Sequence, residues 1–185
     1  SWGRDENFSI NSSTNVTIQN SIVAEGLLNH SMGGLIEWNE GISIHHSLYV
    51  SNNDRNPKTK GIMDFTNNVV FNWGAFAYVA GDSAGLSYGN VVNNYFVAGP
   101  SSSELHDPIS RGNRNYSVYL DGNYYDGNLN GVLDGTAFWC TTDGSGIEMI
   151  DPVTRERRAS VVADVATMAR VADALASHPK ISRLI

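Results

Sequence analysis

Arg55, Lys58 and Lys60 put three cations within the six residues from 55 to 60, on either side of Pro57. They follow His45 and His46 and the alternating Leu48, Tyr49 and Val50. Proline fixes its own φ and biases its neighbour toward extended geometry, so this pattern sets Arg55 on a stiff, exposed turn just past a strand end. A guanidinium held that way can bind an anion or stabilise charge that develops in a reaction. Loop cations are also commonly no more than solvated, and the local pattern does not separate the two readings. His45 and His46, as neighbours on a strand, are expected to point to opposite faces and to serve the structure.

The elements that must carry these cations show themselves through repetition. VTIQNSIVAEG, ISIHHSLYVSNN, IMDFTNNVVFNWG, LSYGNVVNNYFVAG and YSVYLDGNYYDGN each place a Ser or Asn before apolar or aromatic residues. The keyed positions are Ser21, Ser47, Asn68, Asn94 and Asn123, with steps of 26, 21, 26 and 29 residues. A period in the twenties whose variation is confined to the connections is the signature of a β-solenoid. The runs alternate, carry Val, Ile, Phe and Tyr, and end at Gly or Asn, so they read as strands rather than helices. Stacked coils also give the recurring asparagines a purpose, because an amide can donate to one copy and accept from the next. The same residues tolerate the left-handed turns that end strands, and both uses can hold together.

In these phrases, and in SWGRDENFSI at residues 1–10, the chain resembles the pectate lyase superfamily, specifically polysaccharide lyase family 1, whose members are right-handed parallel β-helices. The likeness runs from Ser1 to about Pro100 and weakens through Tyr125. It implies calcium-assisted β-elimination of a polyuronate such as pectate. Removing the proton α to a uronate carboxylate requires that the carboxylate be neutralised and the developing enolate stabilised, which calcium and arginine both do. The resemblance makes Arg55 the catalytic residue, either as proton acceptor or in an electrostatic role. It makes Lys60 a substrate-binding residue in place of a second family arginine, with Lys58 as a weaker candidate on the same loop. A lysine there keeps the charge and loses the bidentate fork. Asp5 matches a calcium ligand.

Two departures qualify the resemblance. The next calcium-binding aspartate of the family falls at Ser9, and a lysine that pairs with the substrate carboxylate falls at Met32. A thioether cannot make that pair, so Met32 is expected either to pack in an adapted pocket, with His30 taking a polar substrate-binding role, or to mark a different substrate or lost activity. The family also has coils N-terminal to the point matching Ser1. A second chain or N-terminal segment is therefore expected to complete the β-helix and cover its edge.

The sequence of 185 residues carries a formal charge of −7 with 41% apolar content, enough for one sizeable core. This balance argues against nucleic acid as partner, and no apolar run is long enough for a membrane span. Cys140 is the sole cysteine, so no intrachain disulfide can form. Secretion, extracellular or periplasmic, is implied by the resemblance, since polymeric substrates lie outside the cell. The glycosylation pattern at Asn7, Asn11, Asn15, Asn29 and Asn115 fits chance in an Asn- and Ser-rich chain. Residues 1–130 are read as solenoid coils and 131–158 as a turn-rich connection. Within 159–185, the run from Ala159 to Ser177 has the spacing of an amphipathic α-helix packing on or capping the solenoid. Two further readings stand beside a pectate-like lyase: a non-catalytic carbohydrate-binding or structural β-helix module, and a lyase for another acidic polysaccharide.

Overall fold

Short Val-, Ile-, Phe- and Tyr-rich segments, separated by polar residues with left-handed backbone, wind the chain into stacked rungs. The computed structural model describes residues 3–27, 30–81, 85–103, 105, 108–111 and 115–138. Fourteen strands occur there: β1 (Glu6–Asn11), β2 (Thr17–Gln19), β3 (Ile22–Ala24), β4 (Met32–His45), β5 (Leu48–Val50), β6 (Lys58–Thr66), β7 (Val69–Phe71), β8 (Tyr78–Ala80), β9 (Ser87–Val92), β10 (Tyr95–Val97), β11 (Ile109–Arg111), β12 (Tyr116–Asp121), β13 (Asn123–Asp126) and β14 (Thr136–Phe138). The helix expected at 159–177 lies outside the described residues.

Pairing is parallel from coil to coil, as a solenoid requires. One face stacks β1, β4, β6, β8 and β11 in that order, and another stacks β3, β5, β7, β10 and β13. The long strands β4 and β6 turn a corner and carry a third face, on which β2 pairs β4, β6 pairs β9, and β9 pairs β12. At that corner the β4–β6 register shifts on both sides of Asn39. Gly61 makes the close approach possible, since a Cβ there would sit 2.3 Å from the Asn39 carbonyl oxygen and its φ is +103°. Among the described strands only β14 departs from the parallel order, pairing antiparallel with β13 and setting Phe138 against Phe96.

Inward side chains build one continuous core from Ile36, Ile44, Tyr49, Phe65, Val91 and Phe96, all fully buried. Phe65 stacks between Tyr49 and Tyr78 at centroid distances of 5.8 and 5.4 Å. The Tyr49 hydroxyl has no hydrogen-bond partner among the described residues, and burial pushes its ionisation far above that of a free phenol. Nearby, Thr59 Oγ1 lies 2.8 Å from the Tyr78 hydroxyl and 2.6 Å from that of Tyr116. Thr59 therefore points inward. Alternation along β6 then sends Lys58 and Lys60 to the outer face.

The keyed polar residues form the expected ladder. Ser21 N–H donates to Ser47 Oγ, Ser47 N–H to Asn68 Oδ1, Asn68 N–H to Asn94 Oδ1, and Asn94 N–H to Asn123 Oδ1, all at 2.9–3.2 Å. Asn68, Asn94 and Asn123 each also donate Nδ2 to the carbonyl of the residue three positions before the preceding ladder residue, as Asn94 Nδ2 does to Phe65 O at 2.8 Å. The left-handed turns sit one residue earlier, at Asn20, His46, Asn67, Asn93 and Gly122, with φ of 50–61°. Both sequence readings of the asparagines hold, divided between adjacent residues.

That division corrects the reading of the histidines. His46 occupies the left-handed position at φ 52°, so strand alternation stops at His45 and the two rings meet edge to face with Nδ1 atoms 2.8 Å apart. Burial, then the His46 charge, lowers the His45 pKa below its ordinary value of 6.5. A proton that the unfolded chain accepts and the folded chain refuses makes stability fall as pH drops below about 6.5. Urea midpoints should therefore decline between about pH 7.5 and about pH 5.5, and His45→Gln should flatten that slope. Equal slopes in the two proteins would remove the histidine pair as its source.

Candidate active site

The outer face of β1, β4, β6 and β8 gathers the cations, and Arg55 and Lys60 are each met by a carboxylate from another rung. Arg55 precedes β6 with φ 56°, not in the extended conformation expected from the sequence. The proline bias reaches only the residue directly before it, which is Asn56. Nor is Arg55 fully exposed: its side chain is one-fifth accessible, and its Nη1 donates to Glu6 Oε1 of the first rung. The Arg55 N–H donates to Asp54 Oδ1 at 2.5 Å, and Asn56 Nδ2 to Phe76 O at 3.1 Å, so the turn is held through its backbone as well as its side chain.

Lys58 and Lys60 are buried on the strand β6, not solvated on a loop. Lys60 Nζ donates to Glu37 Oε1 at 2.6 Å and lies 5.6 Å from the centre of the Trp38 ring. Its aliphatic stem runs beside Gly81, where a Cβ would come within 2.6 Å of Lys60 Cγ. Burial of this pair makes its halves interdependent, because removing one partner leaves an uncompensated charge. Lys60→Met and Glu37→Leu should each destabilise the protein, while the double substitution recovers about 1–3 kcal/mol relative to their sum. Urea unfolding of the four proteins measures that coupling, and additive losses would show the pair to be independent.

Asp5 and His30 face each other across the start of β1 and β4, with His30 Nδ1 in contact with Asp5 Oδ1. That hydrogen bond is the leading reason the Asp5 pKa lies below its ordinary 3.8. Met32 opens β4, buried, bridging Glu6 on one side and Asp54 on the other. The structure thus brings Asp5, His30 and Met32 to one end of the face, with Arg55 tied to it through Glu6, and sets Lys58 and Lys60 further along β6. Sequence reasoning did not single out Glu6, Glu37, Asp54, Phe76 or Arg111. Register supplies the missing signal: once Leu35 is paired with Lys58, Glu37 falls beside Lys60.

A calcium ion takes about six to eight oxygen ligands. Among the described residues no three His, Cys, Asp or Glu side chains converge. Asp5 is met by an imidazole, Ser9 replaces a carboxylate with a hydroxyl, and Glu6 and Glu37 are committed to Arg55 and Lys60. This donor set does not make a calcium cage by itself.

No family model matches the chain. Curated relatives do. A protein of Neosartorya fischeri named "Probable pectate lyase C" is 51% identical over 148 residues, which cover 79% of this chain and 35% of that protein. One of the same name in Aspergillus fumigatus is 54% identical over 137 residues, covering 73% of this chain and 32% of its own length. Another in Aspergillus terreus is 48% identical over 154 residues, covering 82% and 36% respectively. The chain belongs to the pectate lyase superfamily. It spans about a third of the length of the curated relatives it matches. Within this member of the superfamily, the described coils form a parallel β-helix whose cation-bearing face includes the turn at Arg55.

Proposed function

We propose that the protein takes part in cleaving a pectate-like polyuronate by β-elimination, with Arg55 as the residue that meets the reacting sugar. What carries this reading is the clustering of Arg55, Lys58 and Lys60 along one edge and outer face of a β-helix related to proteins named pectate lyases. In the reaction the proton α to the uronate carboxylate passes to a base from solvent, its electron pair forms a double bond to the neighbouring carbon, and the glycosidic oxygen departs from that carbon and takes a proton from water. Arginine stays protonated at physiological pH, and Glu6 lies against Arg55. An electrostatic role therefore demands less than proton abstraction. The guanidinium exchanges Glu6 for the substrate carboxylate and stabilises the charge that builds up as the proton departs.

Lys60 and Lys58 bind neighbouring carboxylates, and His30, poised against Asp5, lines the same face as a polar contact. Asp5 is proposed as one oxygen donor to calcium, with the other ligands outside the described residues. The working location is extracellular, where such polymers are found. No helix among the described residues is long and apolar enough to cross a membrane.

The test is to incubate the protein with polygalacturonate and calcium and to follow the ultraviolet absorbance of the unsaturated product. Absorbance that grows with time supports the lyase. Binding without product, from a folded protein and across several uronate polymers, supports a carbohydrate-binding module instead.

A further inference from the structure

Arg111 closes β11 in the sheet that also carries β6, and none of the roles above uses it. Register places it two rungs beyond Thr59, through Ala80. At about 4.8 Å per rung this is a displacement of about 10 Å along the solenoid. The Arg111 guanidinium carbon lies 5.0 Å from the centre of the Phe76 ring, and Nη2 lies 3.8 Å from Asp54 Oδ2. The other oxygen of Asp54 accepts the Arg55 N–H at 2.5 Å. One carboxylate thus stands between the backbone of Arg55 and the fork of Arg111.

We propose that Arg111, backed by Phe76, is a second carboxylate-binding subsite that holds an acidic sugar of the polyuronate beyond the one met by Arg55. The inference rests on the polyuronate reading above. Three observations support it. The Arg111 side chain is 42% exposed, so its fork is within reach of a ligand. An arginine packed on an aromatic ring and steered by a carboxylate is already ordered, so less freedom is lost when it takes up a planar anion. Its backbone is left-handed at φ 68°, a conformation unfavourable for a long side chain and one that collects at ligand sites. A half-exposed ion pair at 3.8 Å adds little to stability, so stability alone does not account for this arrangement.

The experiment measures binding and turnover on polygalacturonate and on its methyl-esterified form, for the full chain and for Arg111→Ala, Arg111→Lys and Phe76→Leu. Arg111→Ala should weaken calorimetric binding to polygalacturonate about 5–20-fold and express its loss in KM rather than kcat, as expected when ground and transition states are bound alike. Arg111→Lys should recover part of the loss, and Phe76→Leu should lose about 2–3-fold. Binding to the esterified polymer should differ little between wild type and Arg111→Ala, because the carboxylate is masked. Arg111→Gln, which keeps the stem, serves if the alanine variant does not fold.

Unchanged affinity in the folded Arg111 variants overturns the subsite, as does an equal loss on both polymers. If the wild type binds polygalacturonate without cleaving it and Arg111→Ala weakens that binding, the lyase reading fails and the subsite stands. A wild type that binds no uronate polymer overturns both.

Discussion

Arg55→Ala is expected to lower kcat on polygalacturonate by about 10²–10³-fold, the loss typical when a preorganised donor to developing charge is removed. The substitution has a second effect that must be separated from the first. Glu6 lies nearly buried beneath Arg55, and losing the guanidinium leaves its carboxylate uncompensated, so Arg55→Ala alone should also destabilise the protein. Arg55→Ala combined with Glu6→Gln removes both charges and should recover most of the stability while staying inactive. Arg55→Lys keeps a positive charge on a different geometry and should retain a fraction of the activity, since the ammonium lacks the bidentate fork. Initial rates of product absorbance with urea midpoints for the four proteins decide the matter. Undiminished turnover in Arg55→Ala, or its return in the double variant, would remove Arg55 from the reacting sugar.

The ion pairs on this face have a consequence for substrate recognition. Against a formal charge of −7, Arg55 is held by a carboxylate two rungs away and Lys60 by one on the adjacent rung. Under the proposed function a polyuronate binds by exchange, its carboxylates replacing Glu6 or Glu37 at cations already in position. Exchange keeps the desolvation cost of the buried cations low before substrate arrives. It also makes the two glutamates part of specificity, because a neutral sugar offers no carboxylate to replace them.

How much of this was legible in the sequence depended on distance along the chain. The ladder residues could be read because every coil repeats the same need: a polar side chain at a bend, after a residue that tolerates left-handed backbone. The counter-ions could not be read the same way. Glu6 meets Arg55 across 49 residues and Glu37 meets Lys60 across 23, and nothing local to either cation names its partner. Strand alternation carried on to His46 reaches one residue too far, because His46 is left-handed. Its equivalence to Asn20, Asn67 and Asn93 in the repeat was already visible and would have set it in the turn. Pro57 punctuates the chain and suggests a loop at Lys58 and Lys60, yet the proline marks where β6 begins.

The ladder is also where stability is most exposed to a single substitution. Asn94 is fully buried, and its side chain serves both neighbours at once. Oδ1 accepts from the Asn68 N–H at 2.9 Å and from Asn68 Nδ2 at 3.2 Å, while Nδ2 donates to Phe65 O at 2.8 Å and to Asn123 Oδ1 at 3.0 Å. Asn94→Leu removes these bonds and leaves the Asn68 N–H buried without its acceptor, in a space shaped for an amide. Each orphaned buried group costs about 1–3 kcal/mol, so a loss of about 3–4 kcal/mol is expected. Asn94→Ser should cost about half as much, because a hydroxyl can still accept from the N–H of the previous rung, as Ser47 does from Ser21 at 3.2 Å. The same change on the surface, Asn128→Leu, should cost far less, since water replaces the lost partners there. Urea unfolding of the three variants gives the order, and a leucine at position 94 tolerated as well as one at 128 would show that the stacked amides are dispensable to the solenoid.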